Sequence, residues 1–257
     1  MTTMTTLQRV SEVMCEVTAA LSGLDRQNQI QIVMSLCRLI ESHDARLRGH
    51  GERTACYALA LADAVSLPTE ELIHLHRAAL LHDLGMLTLP EEILHKDGPL
   101  TADEYAVFQS HPRAGVELLR PFSFLRLPAV LIAHHHERWD GAGYPYGLRG
   151  PLIPLGSRIL AVADTYDRLL TGDWTGQQPE PEAARRLLRV MAGSQLDPDL
   201  VAIFLELMAA SDDASGSTAV SELSASFLAR TAEGQRGSAP SISVLTPTLS
   251  LPLRGGG

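Results

Sequence analysis

The sequence predicts an all-α fold on three observations. Aromatic residues make up 5% of the chain and β-branched runs are scarce. Ala and Leu dominate long windows, and both favour helices. Apolar positions recur at three- and four-residue spacing in one segment after another. At 257 residues, and roughly 150 residues per domain, one sizeable domain with appendages fits better than two equal ones. The expected boundaries are a helical extension over 1–42, a main helical domain over 43–210 and a weakly structured tail over 211–257.

The elements follow in order. Over 27–40, Ile30, Ile32, Val33, Leu36, Cys37 and Ile40 recur at helical spacing, so this helix lies against the main domain or against a second copy of the chain. Pro68, Pro128 and Pro198 each precede apolar-periodic sequence and mark helix starts, because the first helical position needs no amide hydrogen bond. Thr101 followed by Glu104 is a capping box that opens a helix through Tyr105 and Phe108 towards His111. Segment 139–156 carries Gly141, Gly143, Gly147, Gly150, Pro145, Pro151 and Pro154, which excludes a regular helix and predicts a loop.

Periodicity resumes at Ile159, Val162, Ala163, Tyr166 and Leu169, with Asp164 and Asp167 on another side. Further helices are predicted over 181–191 and from Asp197, as cap, to about 208. Ten Ser and three closing Gly then mark the tail, which permits a short helix near 223–230 and a strand over 241–253.

Charge and cysteine usage exclude several function classes. Thirty acidic and 21 basic residues give a net charge of -9, which argues against broad adhesion to DNA or to anionic membrane. No stretch approaches the ~18 apolar residues of a membrane span, and 1–10 lacks a signal core. Cys15, Cys37 and Cys56 form no short metal spacing, so no disulfide framework is expected and a reducing cytoplasm fits.

All ten histidines fall between His43 and His136. Within and just beyond that window stand His50, the pair His82 and Asp83, His111, the run His134, His135 and His136, and then Asp164. Imidazole and carboxylate suit borderline or hard divalent cations, and the lack of nearby thiolates disfavours structural zinc. His82 and Asp83 close the apolar run Ala78, Ala79, Leu80, Leu81. A carboxylate placed there needs a partner or takes up a proton, and a metal supplies the partner. His43, His74, His76 and His95 read as surface or packing residues.

In "GHGERTACYALALA", "AALLHDLGM", "LTADEYAVFQSHPRAG", "AHHHERWDGAGYPYGLRGPLIPLGSRILAVADTYDRLL" and "GSQLDPDLV" the chain resembles the HD-GYP family, a branch of the HD-domain metal-dependent phosphohydrolases. The resemblance implies a helical HD core with a Gly/Pro-rich loop named for Gly143, Tyr144 and Pro145. It places His50, His82, Asp83, His111, His135, His136 and Asp164 at metal-ligand positions. It implies two divalent ions, iron or manganese, with Asp83 bridging them and positioning a hydroxide. Relatives with a third ion carry Glu four residues before the first histidine, where this chain has Arg46.

The implied activity is hydrolysis of a cyclic dinucleotide, cyclic di-GMP, to linear pGpG or GMP. The loop around Tyr144 is then a surface for substrate or for a cyclase-domain or other signalling protein, and Glu137 an acceptor that orients His136. Trp139 reads as core.

Two departures from the family pattern qualify that implication. Met86 stands where relatives carry a Lys able to help a leaving group, and a thioether offers neither charge nor proton. Asp173 and Gly176 stand at positions that are basic in relatives, which leaves Arg158 and Arg168 either as substitute phosphate grips or, as is commoner for such residues, in a solvated or salt-bridged surface role. The alternatives to an active phosphodiesterase are a cyclic-dinucleotide sensor or interaction module that keeps its metal site, and another HD-type metallophosphohydrolase. With only some 40 residues ahead of the HD region, regulation is expected through a separate partner, homodimerisation, metal loading or expression.

Overall fold

A computed structural model describes residues 25–172 and 180–213. Most of the expected extension, Cys15, Asp173, Gly176, and the helix and strand expected in the tail lie outside the described residues. Those residues form α1 (Arg26–His43), α2 (His50–Ala64), α3 (Thr69–Leu81), α4 (Glu91–Leu94), α5 (Ala102–Phe108), α6 (His111–Leu119), α7 (Arg126–Ala133), α8 (Leu155–Thr171), α9 (Pro181–Met191) and α10 (Pro198–Asp213). They contain no β-strand, only an isolated bridge between Ala192 and Leu196. No described helix is long and apolar enough to cross a membrane.

The centre of the core is α2 packed against α3 and α8. Small residues allow this, because Ala55, Ala58 and Ala62 of α2 meet Ala78 and Ala79 of α3 in one buried cluster with Leu59, Leu61, Leu75 and Leu81. Tyr57 of α2, Tyr166 of α8 and Phe204 of α10 close one end edge-to-face, with ring centroids 5.1–6.0 Å apart.

Helix α1 starts where Asp25 accepts from the Asn28 amide at 2.8 Å. It packs on α3 within this chain. Its buried stripe is narrower than the sequence suggests, comprising Val33, Cys37 and Ile40 while Ile30 is exposed.

The capping box at Thr101 and Glu104 is formed as expected, and Asp197 accepts from the amides of Asp199 and Leu200 at the start of α10. Two of the three proline starts need correction. Pro198 opens α10, but Pro68 is the cap ahead of α3 and Pro128 is the third residue of α7. Pro128 is tolerated because amides of the first turn have no intrahelical acceptor.

Segment 139–154 is an ordered turn structure, which ends two residues short of the expected loop because α8 begins at Leu155. Trp139 and Asp140 donate backbone bonds to Gln195 and Ser194 at the α9–α10 corner, and Gly150 donates to Trp139.

Candidate metal centre

Four helix ends and one helix face deliver the site. His50 opens α2, His82 and Asp83 follow α3, His111 opens α6, His135 and His136 follow α7, and Asp164 lies midway along α8. The short 3-10 turn Leu84–Thr88 that follows Asp83 crosses the start of α6 at backbone contact. Gly85 makes this approach possible, since a Cβ there would lie 1.9 Å from the His111 carbonyl oxygen.

Three histidines are oriented by backbone alone. The Nδ1 atoms of His82, His111 and His135 lie 2.8, 2.9 and 2.7 Å from the carbonyls of Ala79, Phe108 and Ile132, each three residues back. A carbonyl oxygen only accepts, so each Nδ1 carries the proton and each Nε2 presents a lone pair. His50 is held differently. Its Nδ1 sits 2.7 Å from Asp167 Oδ2, and Arg53 grips the same carboxylate at 2.7 and 3.0 Å.

The donor atoms gather in two triplets. His111, His135 and His136 present nitrogens within 4.8 Å of one another, as do the ligand atoms of His50, His82 and Asp164. Asp83 stands between them. Its Oδ2 lies 3.6 and 3.4 Å from the Nε2 atoms of His50 and His82, and its Oδ1 lies 4.0 Å from His111 Nε2.

The residues fit divalent cations on two grounds. Asp83 Oδ1 and the Nε2 atoms of His111, His135 and His136 are buried without a hydrogen-bond partner, a cost that a cation relieves. His50 Nε2 and His82 Nε2 are 3.1 Å apart, and with Asp164 Oδ1 at 3.0 and 3.3 Å from them they form a donor set that a cation would hold in place of the shared proton.

Electrostatics set His111, His135, His136, Asp83 and Asp164 in ligand form, whereas His50 keeps a proton that a cation would have to displace. Burial, with neighbouring histidines, lowers His135 to about 3 and takes His136 well below the ordinary range. Burial likewise lowers His111, against the pull of Asp83. All three are neutral. Burial would raise Asp83 and Asp164, but Arg168 and the facing histidines hold both carboxylates well below their usual range. Burial and Arg168 oppose a charge on His50, yet its bonds to Asp164 and Asp167 prevail and raise it to about 9.

The other expected residues fall into place differently. Tyr144 packs its ring 4.9 Å from that of His136 and donates its amide to the His136 carbonyl, while Gly143 permits this because a Cβ would lie 2.3 Å from Arg138 N. Pro145 follows through a cis peptide bond, and its carbonyl accepts from Arg113.

Glu137 does not orient His136. Its two oxygens accept the amides of Tyr146 and Leu148 at 2.7 and 2.9 Å, so it pins the loop from within. Arg158 is not a free grip either, because it pairs with Asp197 at 2.7 Å, bonds the Ile153 carbonyl and covers the ring of half-buried Trp139. Arg168 reaches Asp83 and Asp164. Met86 is buried with Leu89 and Leu94 against Phe108. Arg46 pairs with Asp44 and bonds the Leu94 carbonyl.

Among the four histidines expected elsewhere, His95 is exposed and the other three are half-buried. Asp167 and Arg53 are the residues that sequence reasoning missed. Their only signal was an i,i+3 relation between Asp164 and Asp167 on a buried helix.

The HD domain family model matches residues 34–200. The 3'3'-cGAMP-specific phosphodiesterase 2 of Vibrio cholerae is 35% identical over 188 residues, covering 70% of this chain and 35% of the relative. The cyclic di-GMP phosphodiesterase response regulator RpfG of Xanthomonas campestris is 38% identical over 177 residues, covering 68% and 47%. The chain thus spans less than half the length of these curated relatives. A crystal structure of a cyclic GMP-AMP-specific phosphodiesterase of V. cholerae shares the fold, with a TM-score of 0.58 at 19% identity over 75% of this chain and 52% of that one. On this family match and these identities, the chain belongs to the metal-dependent HD domain family, in its HD-GYP branch.

Proposed function

We propose that this domain is a metal-dependent phosphodiesterase that opens a cyclic dinucleotide, with cyclic di-GMP the first substrate to test and 3'3'-cGAMP the second. One observation carries the reading: two buried donor triplets stand on either side of Asp83, whose two oxygens face one triplet each. His50, His82 and Asp164 would hold one divalent ion and His111, His135 and His136 the other, with Asp83 offering one oxygen to each side. Iron or manganese suits this mixed nitrogen and oxygen set. When bound, such a pair supplies Lewis acidity towards phosphoryl oxygens and acidifies water.

The protein's own residues prepare the chemistry. Asp167 and three backbone carbonyls fix four of the five imidazole rings, burial keeps His111, His135 and His136 neutral, and Asp83 and Asp164 supply the negative charge. Tyr144 walls the His136 side, where the loop meets substrate or a signalling partner.

The test is anaerobic loading with Fe(II) or Mn(II), incubation with each cyclic dinucleotide, and chromatography of products. Linear dinucleotide or mononucleotide is expected, with none from Asp83→Ala. No product over hours at high enzyme, with both ions bound by elemental analysis, overturns the enzyme reading. Met86 favours a second reading, because its apolar burial leaves no charged group at that position. In that reading the domain binds a cyclic dinucleotide without consuming it, and calorimetry run beside the product assay separates the two.

A further inference from the structure

The two donor triplets differ in one respect that the family resemblance does not supply. Around His111, His135 and His136 the donor atoms are bare, and Asp83 Oδ1 shares that condition. Around His50, His82 and Asp164 a cation is already in contact. Arg168, one helical turn beyond Asp164 on α8, places Nη2 2.7 Å from Asp83 Oδ2 and Nε 2.7 Å from Asp164 Oδ1. These are the same oxygens that face the Nε2 atoms of His50 and His82 at 3.0–3.6 Å. The Arg168 side chain is 18% exposed, so solvent screens these two charge-assisted bonds only partly.

We propose that Arg168 is a built-in competitor for the metal, resting on the metal-centre reading above. A divalent ion held by His50, His82, Asp164 and Asp83 would sit against the same two oxygens that Arg168 contacts, and its charge repels a guanidinium that stays. Loading this pocket therefore requires Arg168 to swing off both carboxylates, whereas loading the His111, His135 and His136 pocket breaks no contact. The domain accordingly fills in two steps, and Arg168 sets the gap between them.

Mn(II) titration of the purified chain, previously treated with chelator, tests this by following free ion with electron paramagnetic resonance and bound ion by elemental analysis. Wild type is expected to show one tight and one weak site. Arg168→Met keeps the aliphatic stem and removes the charge. It is expected to tighten the weak site by roughly tenfold to a hundredfold, the value of one or two lost charge-assisted bonds, and to leave the tight site unchanged. Thermal melting gives a second readout. Arg168→Met should lower the melting temperature of chelator-treated protein, whose Asp83 and Asp164 lose their countercharge, but not that of fully loaded protein.

Equal affinities of the weak site in wild type and Arg168→Met, or an equal loss of melting temperature with and without ions, overturns the competitor role and leaves a structural ion pair. Arg168→Gln carries the same expectation if the Met variant does not fold. If wild type binds no Mn(II) at either site, the metal-centre reading itself fails, and that result is distinct from two ions bound with no effect of Arg168.

Discussion

Gly85→Ala tests whether the closeness of the Asp83 turn to α6 holds the centre together. The added methyl would lie 1.9 Å from His111 O and 2.7 Å from Gly115 N, both backbone atoms. Neither can rotate away as a side-chain tip can, so the turn and α6 must part by about 1 Å to restore ordinary contact. Overpacking of this kind costs about 3 kcal/mol, the upper end of the usual range. For a domain of this size that lowers the melting temperature by about 6–12 °C. The same separation carries Asp83 away from His111, and a 1 Å misplacement at a reacting centre costs on the order of a hundredfold in turnover. The reciprocal change, Gly115→Ala, is the control, since its Cβ meets Gly85 N at 3.3 Å and needs only a small adjustment. Scanning calorimetry of both variants, with Mn(II) binding measured alongside, reads the difference. If Gly85→Ala melts within 2 °C of wild type, or no lower than Gly115→Ala, the argument from backbone contact is wrong.

Other consequences follow from single contacts. Asp167→Asn keeps the shape but loses the charge held between His50 and Arg53, and should weaken one Mn(II) site by roughly tenfold to a hundredfold while sparing the other; titration of the variant checks this. Met86→Lys puts an ammonium among Leu89, Leu94 and Phe108 and should cost on the order of 3 kcal/mol in urea denaturation; an unchanged midpoint would mean that the new side chain escapes to water. Burial, then Glu52 and Glu41, push the Cys37 thiol up to about 12, so iodoacetamide should label it far more slowly at pH 8 than a free thiol. Because the native value is raised, the stability linked to Cys37 is complete below its unfolded pKa near ~8.5 and is lost as pH rises from there towards 12. Denaturation midpoints at pH 8 and pH 10.5 should therefore differ less in Cys37→Ala than in wild type.

The histidine and aspartate cluster was legible because its signal lies in residue type. Seven imidazoles and carboxylates stand out against an Ala- and Leu-rich background, and of those at helix starts His50 follows Gly49 and His111 lies between Ser110 and Pro112. Geometry that depends on distant partners was not legible. His50 and Asp167 are 117 positions apart, and nothing local marks Asp167 as a hydrogen-bond acceptor for that ring. Glu137 was misread because adjacency in sequence suggested contact with His136, whereas its carboxylate accepts the amides of Tyr146 and Leu148. Arg158 and Arg168 look alike in sequence. One is committed to Asp197 and Trp139, the other to the site's own carboxylates, and only packing tells them apart. In α1 the apolar pattern was wider than the face that α3 covers, so periodicity overstated its burial.

The carbonyls of Ala79, Phe108 and Ile132 that aim three of the imidazoles belong to the main chain, which every amino acid except for its side chain shares. Exchanging any of these three residues therefore leaves the acceptor in place, provided the helical turn survives. The aim of the rings is in this sense insulated from most point changes around it, and drift in the surrounding sequence can proceed without turning them.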